Sequence, residues 1–377
     1  MGLNSSCCSK DDSLEADALQ RISNEASDPK AETDEKLPGE PLVFSAIASS
    51  EDGNATADSK NGEEGKKKVQ DTPGLSDKLA TLRQMLRVGQ FLEVEKQIEE
   101  ESTDRDEDTY ARSFLKSVMP QMRGIAPRAR LPSEKDGWAI LDLADIGMHI
   151  YLKRSETIDV CFSVDLPDVT WEQMLAMNWE ADLSSQWLPF NPEVATTHGT
   201  NSSSMMMHVS AKIPVLPGHR EVIICRHVVD CFSPDSVIDG RRGLLIVEKS
   251  PDNWNTGGKF MEFDVAPPSS SRWVTRDEQL ESFTFYEYVN PTTIRCMITY
   301  KLIFQVPSWL FPDSALHWLA KLTGRQWYAG LLGALKKYTE YGYKARAEAR
   351  EHPIYDAVVA RARAAAAGSS SASAGGS

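Results

Sequence analysis

No stretch of this chain approaches the roughly 20 consecutive apolar residues that a membrane-spanning helix requires. A secretory apolar segment is also missing from its first residues. Basic charge is scarce: 41 Lys and Arg stand against 55 Asp and Glu, a net charge of −14. The short run Lys66-Lys67-Lys68 is the one strongly basic segment, which argues against the clustered basic face that nucleic acid needs. Motifs of catalysis are missing too. There is no G-x-S-x-G elbow, no P-loop, no H-E-x-x-H helix and no paired-cysteine zinc pattern. His149, His208, His219, His227 and His317 are scattered without a nucleophile or metal spacing beside them. The expectation is a protein that is not an enzyme and uses neither metal nor cofactor.

Charge divides the chain. Met1 to Asp77 holds 17 acidic and 8 basic residues, which is −9 of the total, and lacks any apolar period. Such a segment buries too little apolar surface to offset chain entropy, so residues 1–76 read as a disordered acidic tail. Its start, Met-Gly-Leu-Asn-Ser-Ser-Cys-Cys, fits the myristoylation pattern, with Gly2 exposed after Met removal and Ser6 at the required position. One myristoyl chain binds membranes only marginally, with a partition constant of about 10⁴ M⁻¹, so stable anchoring needs a second signal. Palmitoylation of Cys7 or Cys8 supplies it. The expectation is lipid anchoring at the cytoplasmic face of a plasma membrane or endomembrane. Cys161, Cys225, Cys231 and Cys296 lie in apolar strand-like runs and read as reduced core thiols.

Residues 77–120 read as helices. Leu79, Leu82, Met85 and Leu86 recur at helical spacing, as do Phe91, Val94 and Ile98 after a break at Gly89, and a third helix ends at Pro120. From Trp138 short β-branched and aromatic runs take over: Trp138–Leu143, Met148–Lys153 and Thr157–Leu166. An amphipathic helix follows over Asp168–Trp179, with Asp168 as its expected N-cap. Strand patterns resume at Ser204–Val215, Glu221–Phe232, Gly243–Glu248, Lys259–Asp264, Glu281–Val289 and Thr292–Val306, the last two joined as a hairpin through Asn290-Pro291. One long helix over Pro312–Glu348 closes the domain. Its wide apolar stripe, including Leu316, Ala320, Trp327 and Leu331, requires a large covering surface such as a concave sheet. The Ala/Ser/Gly stretch within 351–377 reads as a low-complexity tail.

The order three strands, short helix, six strands, long closing helix resembles the START (steroidogenic acute regulatory protein-related lipid transfer) family. Three segments carry the resemblance: Trp171–Trp187 (WEQMLAMNWEADLSSQW), Ile213–Arg226 (IPVLPGHREVIICR) and Tyr300–Pro312 (YKLIFQVPSWLFP). In the second, Glu221 stands where the family has Asp, and Val222-Ile223 replaces Phe-Val. The resemblance implies an α+β helix-grip domain over residues 121–350, with about nine antiparallel strands wrapped on the C-terminal helix. It also implies a monomer that holds one lipid between sheet and helix, for sensing or for transfer. An enzyme on the same architecture and a tethered interaction scaffold are the alternatives.

Arg226 lies in the apolar run Val222–Asp230 and needs a partner, since an unpaired buried charge is costly. That partner is either a lipid head group or a structural acid, Asp230 or Glu248. In the family the matching Arg often pairs with an acid on the preceding strand. Ser202–Lys212 contains none, which leaves His208 as the nearest candidate there. Met205 and Met207 line the expected cavity or pack the core, and Trp327 and Leu331 face it from the closing helix. Arg220 reads as bracing the Pro217-Gly218 turn. Trp309, Leu310 and Phe311 read either as a tip that contacts a membrane or as a hydrophobic staple at the helix start.

Overall fold

Alternation of side chains along the strands builds one large sheet. The strands are β1 (Ala139–Leu143), β2 (Met148–Arg154), β3 (Ile158–Pro167), β4 (Glu193–His198), β5 (Ser204–Ala211) and β6 (His219–Asp230). They continue with β7 (Gly243–Lys249), β8 (Gly258–Phe260), β9 (Phe263–Val265), β10 (Val274–Arg276), β11 (Glu278–Asn290) and β12 (Thr293–Ile303). The computed structural model describes residues 75–100, 109–125, 130–155, 157–199, 203–213, 216, 218–233, 238, 240–303, 312–349 and 352–373. The antiparallel order is β1-β2-β3-β12-β11-β7-β6-β5-β4, and β10 joins β6 in parallel. This is the START-like α+β helix-grip arrangement.

Two strands escaped the sequence pattern. β4 is a polar strand at the edge of the sheet and β10 spans three residues, too little apolar alternation to register. The single strand expected over Lys259–Asp264 is instead a separate β8–β9 hairpin, reversed at Met261, whose φ is +53°.

The helices are α1 (Leu75–Arg87), α2 (Phe91–Glu100), α3 (Thr109–Ile125), α4 (Trp171–Trp179), α5 (Asp313–Lys336), α6 (Tyr343–Ala349) and α7 (Ile354–Ser373). The first three cover the outer face of the sheet, where Phe91, Val94, Phe114 and Val118 pack with Leu245, Val247, Phe283 and Phe285. Gly89 makes this fit possible. Its φ is +79°, and a Cβ there would stand 2.5 Å from the Val228 carbonyl oxygen, so the α1–α2 turn rests directly on β6. α3 runs through Pro120 rather than stopping there. Burial of Val118, Met119, Met122 and Ile125 on both sides of it offsets a proline cost of about 3 kcal/mol.

α4 and α5 take the inner face. The N-cap of α4 is Thr170, not Asp168: its hydroxyl accepts from Gln173 N at 3.2 Å while Gln173 Oε1 accepts from Thr170 N at 3.0 Å. Asp168, with φ +56°, turns the chain before the cap. α5 crosses the sheet so closely that a Cβ on Gly324 would meet Ile150 Cδ1 at 3.0 Å and Met148 Sδ at 3.1 Å. The expected single helix to Glu348 breaks after Lys336 and turns at Gly342, with φ +89°, into α6. The low-complexity Ala/Ser/Gly stretch is helical to Ser373. Ile354, Tyr355, Val358, Ala362 and Ala365 bury one side of α7.

Candidate functional site

Register places four polar side chains in a row across four neighbouring strands. Arg226 on β6 lies opposite Glu248 on β7, Glu248 opposite Ser282 on β11, and Ser282 opposite Tyr300 on β12. All four belong to the inner face. Arg226 Nε donates to Glu248 Oε1 at 2.7 Å, and Nη2 lies 2.5 Å from the same oxygen. Glu248 Oε2 accepts from Ser282 Oγ at 2.9 Å and Gln279 Nε2 at 3.4 Å. Both carboxylate oxygens are therefore occupied. The remaining Arg226 donor Nη1 reaches the Asn178 carbonyl of α4, and Tyr286 OH donates to Asn178 Oδ1 at 3.1 Å.

The side chains of Arg226 and Glu248 are 13% and 6% exposed, so their mutual neutralisation is what makes burial tolerable. Burial pushes the Tyr286 and Tyr300 hydroxyls above their ordinary range. Both stay protonated and available as neutral donors.

Beside this row is a void of about 90 Å³, closed by Met177 and Asn178 of α4, Trp187, Met207 of β5, and Trp327 and Leu331 of α5. Ligand pockets run to about 300–1,000 Å³, so this space is smaller than a usual ligand pocket. Gly330 seals one wall: a Cβ there would lie 2.2 Å from the Trp187 carbonyl oxygen. A larger depression, about 590 Å³ and more open, lies between Thr170–Glu172, Tyr288–Thr292 and α7. Thr170 there is already committed to the helix cap, whereas the polar row converges on the inner void.

Arg226, Met207, Trp327 and Leu331 line this void. Met205 shares their face but is wholly buried in the packed core. His208 does not join them. Met205 pairs with Arg226, so parity sends His208 to the opposite face, where its Nε2 sits 2.9 Å from Glu221 Oε2. The acid missing from β5 is supplied by β7, on the other side of Arg226. Arg220 is structural, 3.0 Å from Asp277. Asn178, Ser282, Tyr286 and Tyr300 were not anticipated; only the apolar runs around the last three signalled an inner face. Gly2, Cys7, Cys8, Trp309, Leu310 and Phe311 lie outside the described residues. Cys161, Cys225, Cys231 and Cys296 are buried free thiols, and burial pushes those of Cys161 and Cys225 up to about 12. No cluster of three metal-ligating side chains occurs among the described residues.

Among solved structures, the chain is similar to human STARD10, with 14% identity over 61% of this chain and 89% of that one and a TM-score of 0.43. It is also similar to human StAR-related lipid transfer protein 5, with 13% identity over 59% and 99% and a TM-score of 0.42. The Zhui aromatase/cyclase from Streptomyces is a third, with 9% identity over 48% and 96% and a TM-score of 0.30. No family model matches the chain, and no curated protein matches it. Fold does not decide function, so the activity has to be argued from the site's own residues.

Proposed function

We propose that this chain binds a single lipid between the sheet and α5, for sensing or transfer, at a membrane to which acyl chains on Gly2 and on Cys7 or Cys8 tether it. The polar row beside a void lined by both apolar and polar side chains carries the reading. A buried ion pair adds little stability over apolar packing of the same volume. Its position against the unfilled space on the inner face suits it to fix the polar end of an amphipathic ligand. Because Arg226 is already matched by Glu248, the row is electrically balanced. It meets a hydroxyl- or carbonyl-bearing head, as in a sterol or similar lipid, without needing another charge. At about 90 Å³ the void must widen to admit an acyl chain or ring system. Outward movement of α5 from Trp187 is the motion that widens it.

Native mass spectrometry of full-length protein purified from eukaryotic cells, followed by lipid extraction, tests this reading. One lipid per chain is expected, lost in the Arg226→Met, Glu248→Leu double variant. A chain recovered empty overturns it. Tethering is tested by fractionation in high salt, which screens electrostatic contacts with the membrane, where Gly2→Ala is expected to move the protein into the soluble fraction.

A further inference from the structure

Trp273 is 66% exposed, more than any other large hydrophobic side chain named as exposed among the described residues. It ends the loop Ala266-Pro-Pro-Ser-Ser-Ser-Arg-Trp273. That loop is not loose. Arg276, itself buried, donates to the carbonyls of Ala266 at 2.7 Å and Pro267 at 3.0 Å, and buried Glu221 accepts from Ser269 N at 3.4 Å. The Trp273 carbonyl accepts from His219 N at 2.8 Å. A Cβ on Gly218 would lie 2.4 Å from that carbonyl oxygen, so the two chains meet with no room to spare. The backbone is thus clamped while the indole stands in solvent, with the Arg272 guanidinium 5.1 Å from the ring centre.

The ladder shows what lies beside it. Ala211 pairs with Arg220 and His219 with Val274, so Lys212, His219, Arg272 and Trp273 share one rim of the sheet. Lys212, His219 and Arg272 are exposed. Residues 211–213 and 266–274 contain no acid; on the next rung Glu221 and neighbouring Asp277 are buried against Arg276 and Arg220, while Glu193, opposite Ser210 on the edge strand, is exposed. A cationic, Trp-bearing rim therefore stands on a chain of net charge −14. It lies at the end of the sheet where α5 begins, as the 2.8 Å Arg154–Asp313 pair shows.

We propose that this rim docks on an anionic membrane, with Trp273 seated among the head groups and Arg272 and Lys212 against lipid phosphates. Trp favours the membrane–water interface because one end of it is apolar and the other polar, and each Lys or Arg near an anionic surface adds attraction that salt screens. A lone indole offers no run of stacking platforms, and the chain's overall acidity opposes a nucleic-acid partner. The proposal rests on the lipid-binding reading, for which it supplies a membrane contact.

The test uses full-length chain carrying Gly2→Ala, which removes the acyl tether, in cosedimentation with vesicles. Binding is expected to an equal mixture of phosphatidylcholine and phosphatidylserine and not to phosphatidylcholine alone. Trp273→Ala is expected to weaken it on the order of tenfold, and Arg272→Glu by about fivefold or more. Both side chains are exposed, so unchanged melting temperatures confirm that the variants fold. Binding that Trp273→Ala leaves unchanged, or no binding to the anionic vesicles, overturns the proposal. Lipid occupancy of the same preparations separates the two readings. An empty chain that still docks through Trp273 overturns lipid binding alone and leaves the docking surface standing.

Discussion

The two faces of the sheet are made by the same strands and do opposite things. On β11, Phe283 and Phe285 point to the outer face and are fully buried, while Thr284 and Tyr286 point inward to the void. On β7, Leu245 and Val247 point outward, and Glu248 inward. Outside, α1–α3 close over an apolar layer, with Phe91 and Phe114 ring centres 5.2 Å apart in an edge contact. Inside, the closing helix leaves a charged, hydrogen-bonded row beside unfilled space. Both parities bury apolar side chains, but only the inner one also carries the charged row proposed to meet a ligand, so a single strand can be probed for both roles.

The largest effect is expected from the outer face. Phe285→Ala removes a fully buried ring and is expected to cost about 3–5 kcal/mol in urea unfolding, while folded protein keeps its bound lipid. A loss below about 1 kcal/mol would mean that α1–α3 do not seal that face as described. Next comes the inner row. Glu248→Leu strands Arg226, and because that side chain keeps some solvent contact the expected cost is roughly 2–3 kcal/mol, near or below the range for breaking a fully buried pair. Adding Arg226→Met should recover most of that stability and abolish lipid retention. A double variant that stays as unstable as the single one would mark the pair as structural.

Much of this architecture was legible because strands advertise their parity. The hairpin at Asn290-Pro291 follows from two strand patterns joined by a turn, and a cation inside the continuous apolar run Val222–Asp230 has to be explained by a partner. Which acid that partner is depends on strand neighbours, and a register across separate strands is not written in either strand alone. Hence Asp230 and Glu248 are equal candidates on sequence alone, and the pairing of β6 with β7 decides for Glu248. His208 was misplaced for the same reason: only the pairing of Met205 with Arg226 shows that even-numbered β5 residues face away. Composition misled at the C-terminus. The Ala/Ser/Gly bias of α7 hid a buried stripe at Ile354, Tyr355, Val358, Ala362 and Ala365, and the reach of Arg361 to Asp230 at 3.1 Å.

The smallest expected effect at neutral pH, and the one that most sharpens the contrast between the faces, concerns His227. It points outward from β6, 2% exposed, with Nδ1 2.8 Å from Ser204 Oγ, Nε2 3.5 Å from Cys225 Sγ, and the Phe114 ring packed edge-on at 5.5 Å. Burial in this apolar layer pushes its pKa down from 6.5 to about 4. The unfolded chain therefore takes up a proton as pH falls through 6.5, while the folded chain refuses it until about pH 4, so stability is full above 6.5 and declines as pH drops through that window. At about pH 5.5 the loss is roughly 1 kcal/mol. Urea midpoints at pH 7 and at about pH 5.5 read it directly, and His227→Gln is expected to flatten the difference by that amount. If wild type and variant weaken equally on acidification, the outer face is not where the acid sensitivity lies. The inner row, where Arg226 and Glu248 form a buried ion pair, then becomes the face to test.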